Sequence, residues 1–232
     1  MRVAIIENTS ITHHGQIGVA LNEAGARIDI YKPYLGQALP TVDDGHDAMV
    51  VFGGEQAATD DHSHPYLPNL ATLMRKLTEV DRPVLGICLG SQILARAYGA
   101  QNHLGTAPEF GWCDVDLTEN GRADPVFAGL GDQFPIFEFH TDTFTLPESA
   151  VLLAQTKTAP HQAFRIGRAT YGMQFHFEAN RAVVADWTRE FPGIVEARQK
   201  GWAHDHPALA KTLGVSSDAA GLKIARAWVA LI

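Results

Sequence analysis

One stretch limits what this chain can fold into: residues Arg82 to Ala97, which read RPVLGICLGSQILARA. Val84 to Ile87 is a short apolar run, the pattern of a buried strand. Ile93, Leu94 and Ala97 then recur at helical spacing. The backbone must therefore pass from strand to helix within a residue or two of Cys88, and Gly86 and Gly90 on either side give it room to do so. Such a turn leaves its central side chain exposed and strained, which is the setting of a nucleophile. The start of a helix adds free N–H groups and a dipole that favour a thiolate. Free cysteine is also among the most buried residue types. The flanking glycines favour Cys88 as a nucleophile over Cys88 as core.

Strand-like and helix-like segments alternate around this turn. Arg2–Ile6, Arg27–Tyr31 and Ala48–Phe52 read as strands. Gly18–Ala24, stopped at Gly25, and Tyr66–Val80 read as helices. Lys32–His46, with two prolines and two glycines, reads as loop. Alternation over the first hundred residues predicts an α/β fold, a doubly wound, mostly parallel sheet with helices on both faces. Ligands bind such sheets outside the carboxyl ends of the strands, where both Gly53-Gly54 and Cys88 fall. From about Gly99 to Ile166 the pattern changes to short strand-like pieces: Trp112–Leu117, Phe134–Phe139, Val151–Gln155 and Gln162–Ile166. Thr170–Phe177 reads as one further strand. Helices are expected over Arg181–Glu190, Ile194–Lys200 and Ala219–Leu231, the last capped by Ser217-Asp218. Without a linker-like stretch, residues 1–232 are expected to form one domain, with a core over about 1–180 and a helical C-terminal extension over about 181–232.

Composition narrows the function. A net charge of −8 argues against nucleic acid or an anionic membrane surface as partner. Two cysteines provide no disulfide framework, which points to a reducing, cytoplasmic setting. The opening residues are charged too early for a signal peptide, and no apolar run is long enough to span a membrane.

A cysteine nucleophile needs a base, and the base needs an acceptor that orients it. Among the eleven histidines, His176 stands out. It lies at the end of an apolar run with Glu178 two residues on, and residues i and i+2 of a strand share a face. Phe177 would then point into packing. Acyl chemistry also needs an oxyanion hole. Leu89, next to the thiol at the helix start, can give one backbone N–H, and Gly53-Gly54 at a neighbouring strand end another. His13-His14 and His62-Ser63-His64, with Asp60 and Asp61, lack the spacing of a zinc motif. The Glu55–His64 loop lies beside the site, where it could gate substrate. Cys113 reads as structural.

Gly86-Ile87-Cys88-Leu89-Gly90-Ser91-Gln92 resembles the nucleophile motif of class I glutamine amidotransferases. Gly172 to Glu178, GMQFHFE, resembles their His-x-Glu motif. Glu109-Phe110-Gly111-Trp112, the Phe139–Pro147 segment and Gln162–Arg165 resemble free-standing members related to the amidotransferase domain of GMP synthase. The resemblance covers roughly the first 180 residues. It implies hydrolysis of the glutamine side-chain amide to glutamate and ammonia through a γ-glutamyl thioester. Cys88 would be the nucleophile, His176 the general base and acid, and Glu178 its orienter. Gly54 and Leu89 would supply the oxyanion N–H groups. Gln92 would hold the substrate, with His140 and Asp142 in a segment that contacts it in some relatives. No metal or organic cofactor is implied. Two positions depart from the family: Phe177 and Glu55 stand where proline is usual, one bearing on the bend that brings Glu178 to His176 and the other on the rigidity of the hole.

No ATP-binding or synthetase motif accompanies these residues. Ammonia would then pass to a separate synthetase subunit. Alternatively, the same residues would hydrolyse a γ-glutamyl peptide or γ-glutamyl amine. A non-catalytic regulatory protein on the same fold is the alternative of another class, and the complete Cys88, His176 and Glu178 set argues against it.

Overall fold

The apolar runs form the middle of a nine-stranded sheet. The structure, a computed structural model, describes all 232 residues. In chain order the strands are β1 Arg2–Ile6, β2 Arg27–Tyr31, β3 Ala48–Val51, β4 Val84–Ile87, β5 Asn102–His103, β6 Glu109–Leu117, β7 Gln133–His140, β8 Thr143–Phe144, β9 Val151–Gln155, β10 Ala163–Ile166 and β11 Thr170–Met173. The helices are α1 Gly15–Glu23, α2 Leu67–Glu79, α3 Leu89–Ala97, α4 Glu119–Ala123, α5 Arg181–Glu190, α6 Pro192–Arg198, α7 Trp202–Lys211 and α8 Leu213–Val229.

The sheet order is β2-β1-β3-β4-β11-β10-β9-β6-β7, and β5 pairs with β8 apart from it. From β2 to β11 every pairing is parallel. From β11 outward every pairing is antiparallel. The expected doubly wound sheet is thus extended on one side by β10, β9, β6 and β7, and the expectation of short pieces there is corrected, since β6 and β7, nine and eight residues long, are the longest strands of the sheet. β3 and β4 are buried at every position, as strands covered on both faces must be. α1 and α8 cover one face over a core that includes Ile5, Ile87, Phe175, Phe177 and Trp228. α2 and α3 cover the other over Met49, Leu70, Met74, Ile93 and Phe164. A third cluster lies under the C-terminal helices, where Trp112 and Phe137 meet Trp187 and Trp202. No helix is long and apolar enough to cross a membrane.

Other expectations are corrected or refined. The strand over Thr170–Phe177 stops at Met173, because its ladder with β4 ends where Cys88 turns away; the Cys88 amide makes the last bond, to the Met173 carbonyl at 2.8 Å. Within the expected helical extension a further helix outside the named spans, α7, forms over Trp202–Lys211 in spite of Pro207; the proline sits in its second turn, and Trp202 is fully buried. The last helix starts at Leu213, so Ser217 and Asp218 lie inside it and do not cap it. Ser217 is buried, and Asp218 instead pairs with Arg181 at 2.7 Å.

Candidate active site

Cys88 occupies a backbone conformation that L residues avoid, with φ 51° and ψ −109°. The turn is tight enough to forbid side chains beside it. A Cβ on Gly86 would lie 2.4 Å from the Gly90 carbonyl oxygen, and one on Gly90 would lie 2.1 Å from that of Val51. Ser91 closes the turn, its hydroxyl donating to the Cys88 carbonyl at 2.7 Å. The thiol is thereby placed at the first turn of α3, where backbone amides have no intrahelical acceptor.

His176 and Glu178 reach the thiol from a segment beyond β11. The reading that put them on one strand face is replaced by a turn with the same result. The His176 amide donates to the Phe137 carbonyl at 2.8 Å, and its Nδ1 lies 2.7 Å from Glu178 Oε1. Both side chains are buried. Burial pulls the His176 imidazole down, but the Glu178 carboxylate and the Cys88 thiol outweigh it and hold the ring well above the ordinary imidazole range. The Trp187 ring meets the His176 ring edge-on, with centroids 5.0 Å apart.

No proline is needed to bend this segment. Phe177 is 1% exposed and packs in the core under α8. A Cβ on Gly221 of α8 would lie 2.1 Å from the Phe177 carbonyl oxygen, and one on Gly15 would lie 1.8 Å from that of Glu178. The Glu178 carbonyl also accepts from the Gln16 amide at 2.9 Å. Two helices, α1 and α8, therefore seat the backbone that carries the pair.

The Gly53-Gly54 turn faces the thiol from β3. A Cβ on Gly53 would be 3.4 Å from His176 Cε1 and 3.5 Å from Cys88 Cβ. Here too a network replaces the usual proline. Buried Asn8 donates to the Phe52 carbonyl at 2.8 Å, and Gln56 donates to the Asn8 carbonyl at 3.2 Å and to the Tyr66 hydroxyl at 2.7 Å. The Tyr66 hydroxyl returns to Asn8 Oδ1 at 3.1 Å, and burial pushes that phenol up to about 12. The Gly54 amide donates to no backbone acceptor. The following loop is pinned as well: Arg96 binds both Asp61 oxygens at 2.6 Å and the Ala58 carbonyl at 2.7 Å.

All eight sequence-derived site residues line one cavity of about 250 Å³: Cys88, His176, Glu178, Gly54, Leu89, Gln92, His140 and Asp142. Gln92 spends its amide N–H groups on Gln174 Oε1 at 3.1 Å and the Asp142 carbonyl at 3.5 Å, so Oε1 has no donor within the chain. Asp142 Oδ1 accepts from the Gly105 amide at 2.8 Å. His140 donates from Nδ1 to the Asp142 carbonyl at 3.0 Å. Its Nε2 lies 3.3 Å from Glu109 and 3.2 Å from Glu138, without the alignment of a hydrogen bond. Burial opposes charge on this ring, yet Glu109 and Glu138 prevail and raise it to about 10. Burial raises the Glu138 carboxyl in turn.

Glu109, Glu138 and His140 are the three side chains whose ligand-type atoms come within 4.8 Å of one another; here the imidazolium itself is the cation between two carboxylates. The His62/His64 group makes no such cluster. His14 pairs with Glu7 at 2.9 Å, while His13 lines the cavity. Cys113 is held up at about 12 by burial and by the Glu138 and Glu109 carboxylates, as suits a structural thiol. The reading of the sequence missed a further wall: Phe139, Trp187, Phe191, Ile194 and Arg198 also line the cavity. Trp187, Ile194 and Arg198 fall in expected helices, but nothing in that spacing shows which face meets a site, while Phe139 lies on β7 and Phe191 between α5 and α6.

A thiol on a strained strand–helix turn, with a buried His–Glu pair beside it and a glycine turn opposite, is an arrangement suited to acyl chemistry on a thiol. A family model for the class-I glutamine amidotransferases matches residues 6–183, and the chain belongs to that family. It is 33% identical over 181 residues to the glutamine amidotransferase-like protein YfeJ of Salmonella typhimurium, covering 77% of this chain and 76% of that one. It is 25% identical to a subunit of the glutamine-hydrolyzing GMP synthase of Methanosarcina acetivorans, over 76% of this chain and 89% of that one. A crystal structure of a glutamine amidotransferase from Thermotoga maritima has the same fold, with a TM-score of 0.88 at 24% identity over 100% of this chain and 97% of the other.

Proposed function

We propose that the protein hydrolyses the side-chain amide of glutamine through a Cys88 thioester, giving glutamate and ammonia. The observation that carries this reading is the buried His176–Glu178 hydrogen bond beside a thiol on a strained turn. His176 takes the thiol proton, and the thiolate attacks the amide carbon. The oxyanion meets the Leu89 and Gly54 amides. His176 then protonates the leaving nitrogen, and a water that it deprotonates hydrolyses the thioester. Glu178 fixes the tautomer and stabilises the imidazolium. Gln92 Oε1 accepts from the substrate, with His140 and Asp142 shaping that side of the cavity. No cofactor enters the reaction. The setting is cytoplasmic, and a separate synthetase subunit receives the ammonia, a reading supported by the likeness to a single subunit of GMP synthase.

The test is glutamate release with and without candidate synthetase subunits, alongside labelling by a glutamine-like diazo ketone. Labelling of Cys88→Ala as strongly as the wild type would remove the nucleophile assignment. One observation favours a second reading, hydrolysis of a larger γ-glutamyl peptide or amine. The cavity continues past His176 to Trp187, Phe191, Ile194 and Arg198, space for which ammonia, the size of one water at roughly 30 Å³, has no use.

A further inference from the structure

We propose that the wall formed by Phe139, Trp187, Phe191, Ile194 and Arg198 is a leaving-group subsite for γ-glutamyl amides of aromatic or large apolar amino acids. This inference rests on the reading of Cys88 and His176 as nucleophile and general acid.

The chemistry fixes the direction. The imidazole that protonates the leaving nitrogen must face it, so whatever that nitrogen carries lies on the His176 side of the thiol. The acyl portion lies on the other side, toward Gln92 and Asp142. On the His176 side the cavity is aromatic. Trp187 lies edge-on to His176, Phe139 is 5.9 Å from Trp187 and Phe191 is 6.3 Å from Phe139, centroid to centroid. Ile194 follows on α6 and is 46% exposed, an apolar side chain left on the rim of a cavity. Arg198 lies one turn further along the same helix face and also lines the cavity. It forms none of the ion pairs within the chain. Trp187 to Arg198 all lie beyond residues 6–183, the part of the chain matched by the family model. Four of the five wall residues thus lie outside the matched part, and Phe139 lies within it.

An aromatic side chain on the leaving amine would lie along Trp187 and Phe191, and its α-carboxylate would meet the Arg198 guanidinium. The step balances simply. Cys88 sulfur bonds to the γ-carbonyl carbon as the C–N bond breaks, and His176 passes its proton to the departing amine. Water then cleaves the thioester, so γ-glutamyl-X and water give glutamate and free X.

The experiment compares kcat/KM for γ-glutamyl-phenylalanine, γ-glutamyl-glycine, γ-glutamyl-phenethylamide and glutamine on the full chain. γ-Glutamyl-phenylalanine is expected to exceed γ-glutamyl-glycine by about tenfold or more, since filling an apolar pocket discriminates on that scale. Phe191→Ala should collapse that ratio. Arg198→Gln should lower the ratio of γ-glutamyl-phenylalanine to γ-glutamyl-phenethylamide, because only the former carries the carboxylate. Arg198 is exposed, so this variant carries the test if Phe191→Ala does not fold. γ-Glutamyl-phenylalanine turned over no better than γ-glutamyl-glycine, or not at all, overturns the subsite. Cys88-dependent glutamine hydrolysis in the same samples would leave the amide-hydrolase reading standing. If no γ-glutamyl compound is turned over and the diazo ketone does not label Cys88, that reading falls as well.

Discussion

Cys88 sits on a turn shaped largely by its near neighbours, whereas His176 and Glu178 sit on a segment held largely by parts of the chain far off in sequence. The turn needs Gly86, Gly90 and the start of α3, all within a few residues, and from farther off only the close approach of the Val51 carbonyl to Gly90 and the Met173 carbonyl that accepts from the Cys88 amide. The His–Glu segment needs the Phe137 carbonyl from β7, Gln16 from α1, Gly221 from α8 and Trp187 from α5. Local geometry thus places the proposed nucleophile, and tertiary packing places the proposed base. The two arms should accordingly fail in different ways.

The largest effect is expected at the thiol. Cys88→Ala should lower kcat/KM on the best γ-glutamyl substrate by about four to six orders of magnitude, with the circular dichroism spectrum unchanged. Glu178→Gln should cost about two to four orders of magnitude, because it disturbs the tautomer and removes the charge that stabilises the imidazolium. The same variant should move the His176 titration in NMR toward the ordinary imidazole range. An unmoved titration would break the assignment of Glu178 as its partner.

The sharpest test of the comparison is Gly221→Val. Its new Cβ would fall 2.1 Å from the Phe177 carbonyl oxygen, so α8 or the His–Glu segment must shift. A loss of about 2–4 kcal/mol in denaturant unfolding is expected, with a fall in kcat even in the fraction that remains folded. Unchanged kcat would show that α8 does not hold the base.

A smaller, pH-dependent effect is expected at His140. Its folded value of about 10 lies above the ordinary imidazole value of 6.5, so its charge stabilises the fold. That contribution is complete below about pH 6.5 and is lost as pH rises through about 10. The stability advantage of the wild type over His140→Asn should therefore shrink across that window, measured by urea unfolding at several pH values. The smallest effect is expected at the pinned loop. Arg96→Ala should cost about 1 kcal/mol or less, because the Asp61 side chain it meets is substantially exposed.

The same contrast explains what could be read in the sequence. Strands 2–6, 27–31, 84–87 and 151–155 were legible to the residue, since each is an apolar run or an alternation bounded by residues of another pattern. Thr170–Phe177 was read as one strand because its apolar content continues past Met173. Phe175 and Phe177 are indeed fully buried, but through packing away from the ladder. The motif residues were legible because their spacing is short. Trp187, Phe191, Ile194 and Arg198 were not, because their place at the cavity depends on how α5, α6 and the link between them lie across the sheet. The Asn8–Gln56–Tyr66 network that stands in for a proline was likewise hidden, since its members are as far as 58 residues apart.

The contact between Gly221 and the Phe177 carbonyl bears on synthesis. A ribosome that has released residue 180 has made the thiol, the imidazole and the carboxylate, but not the helix against which their backbone is seated. The growing chain can form its elbow early, while the segment that carries His176 and Glu178, the proposed base and its orienter, is not seated until residues 213–229 emerge and dock. On the proposed roles, hydrolysis is thereby withheld from the nascent chain, and a chain truncated before α8 would carry the thiol with its imidazole partner unseated.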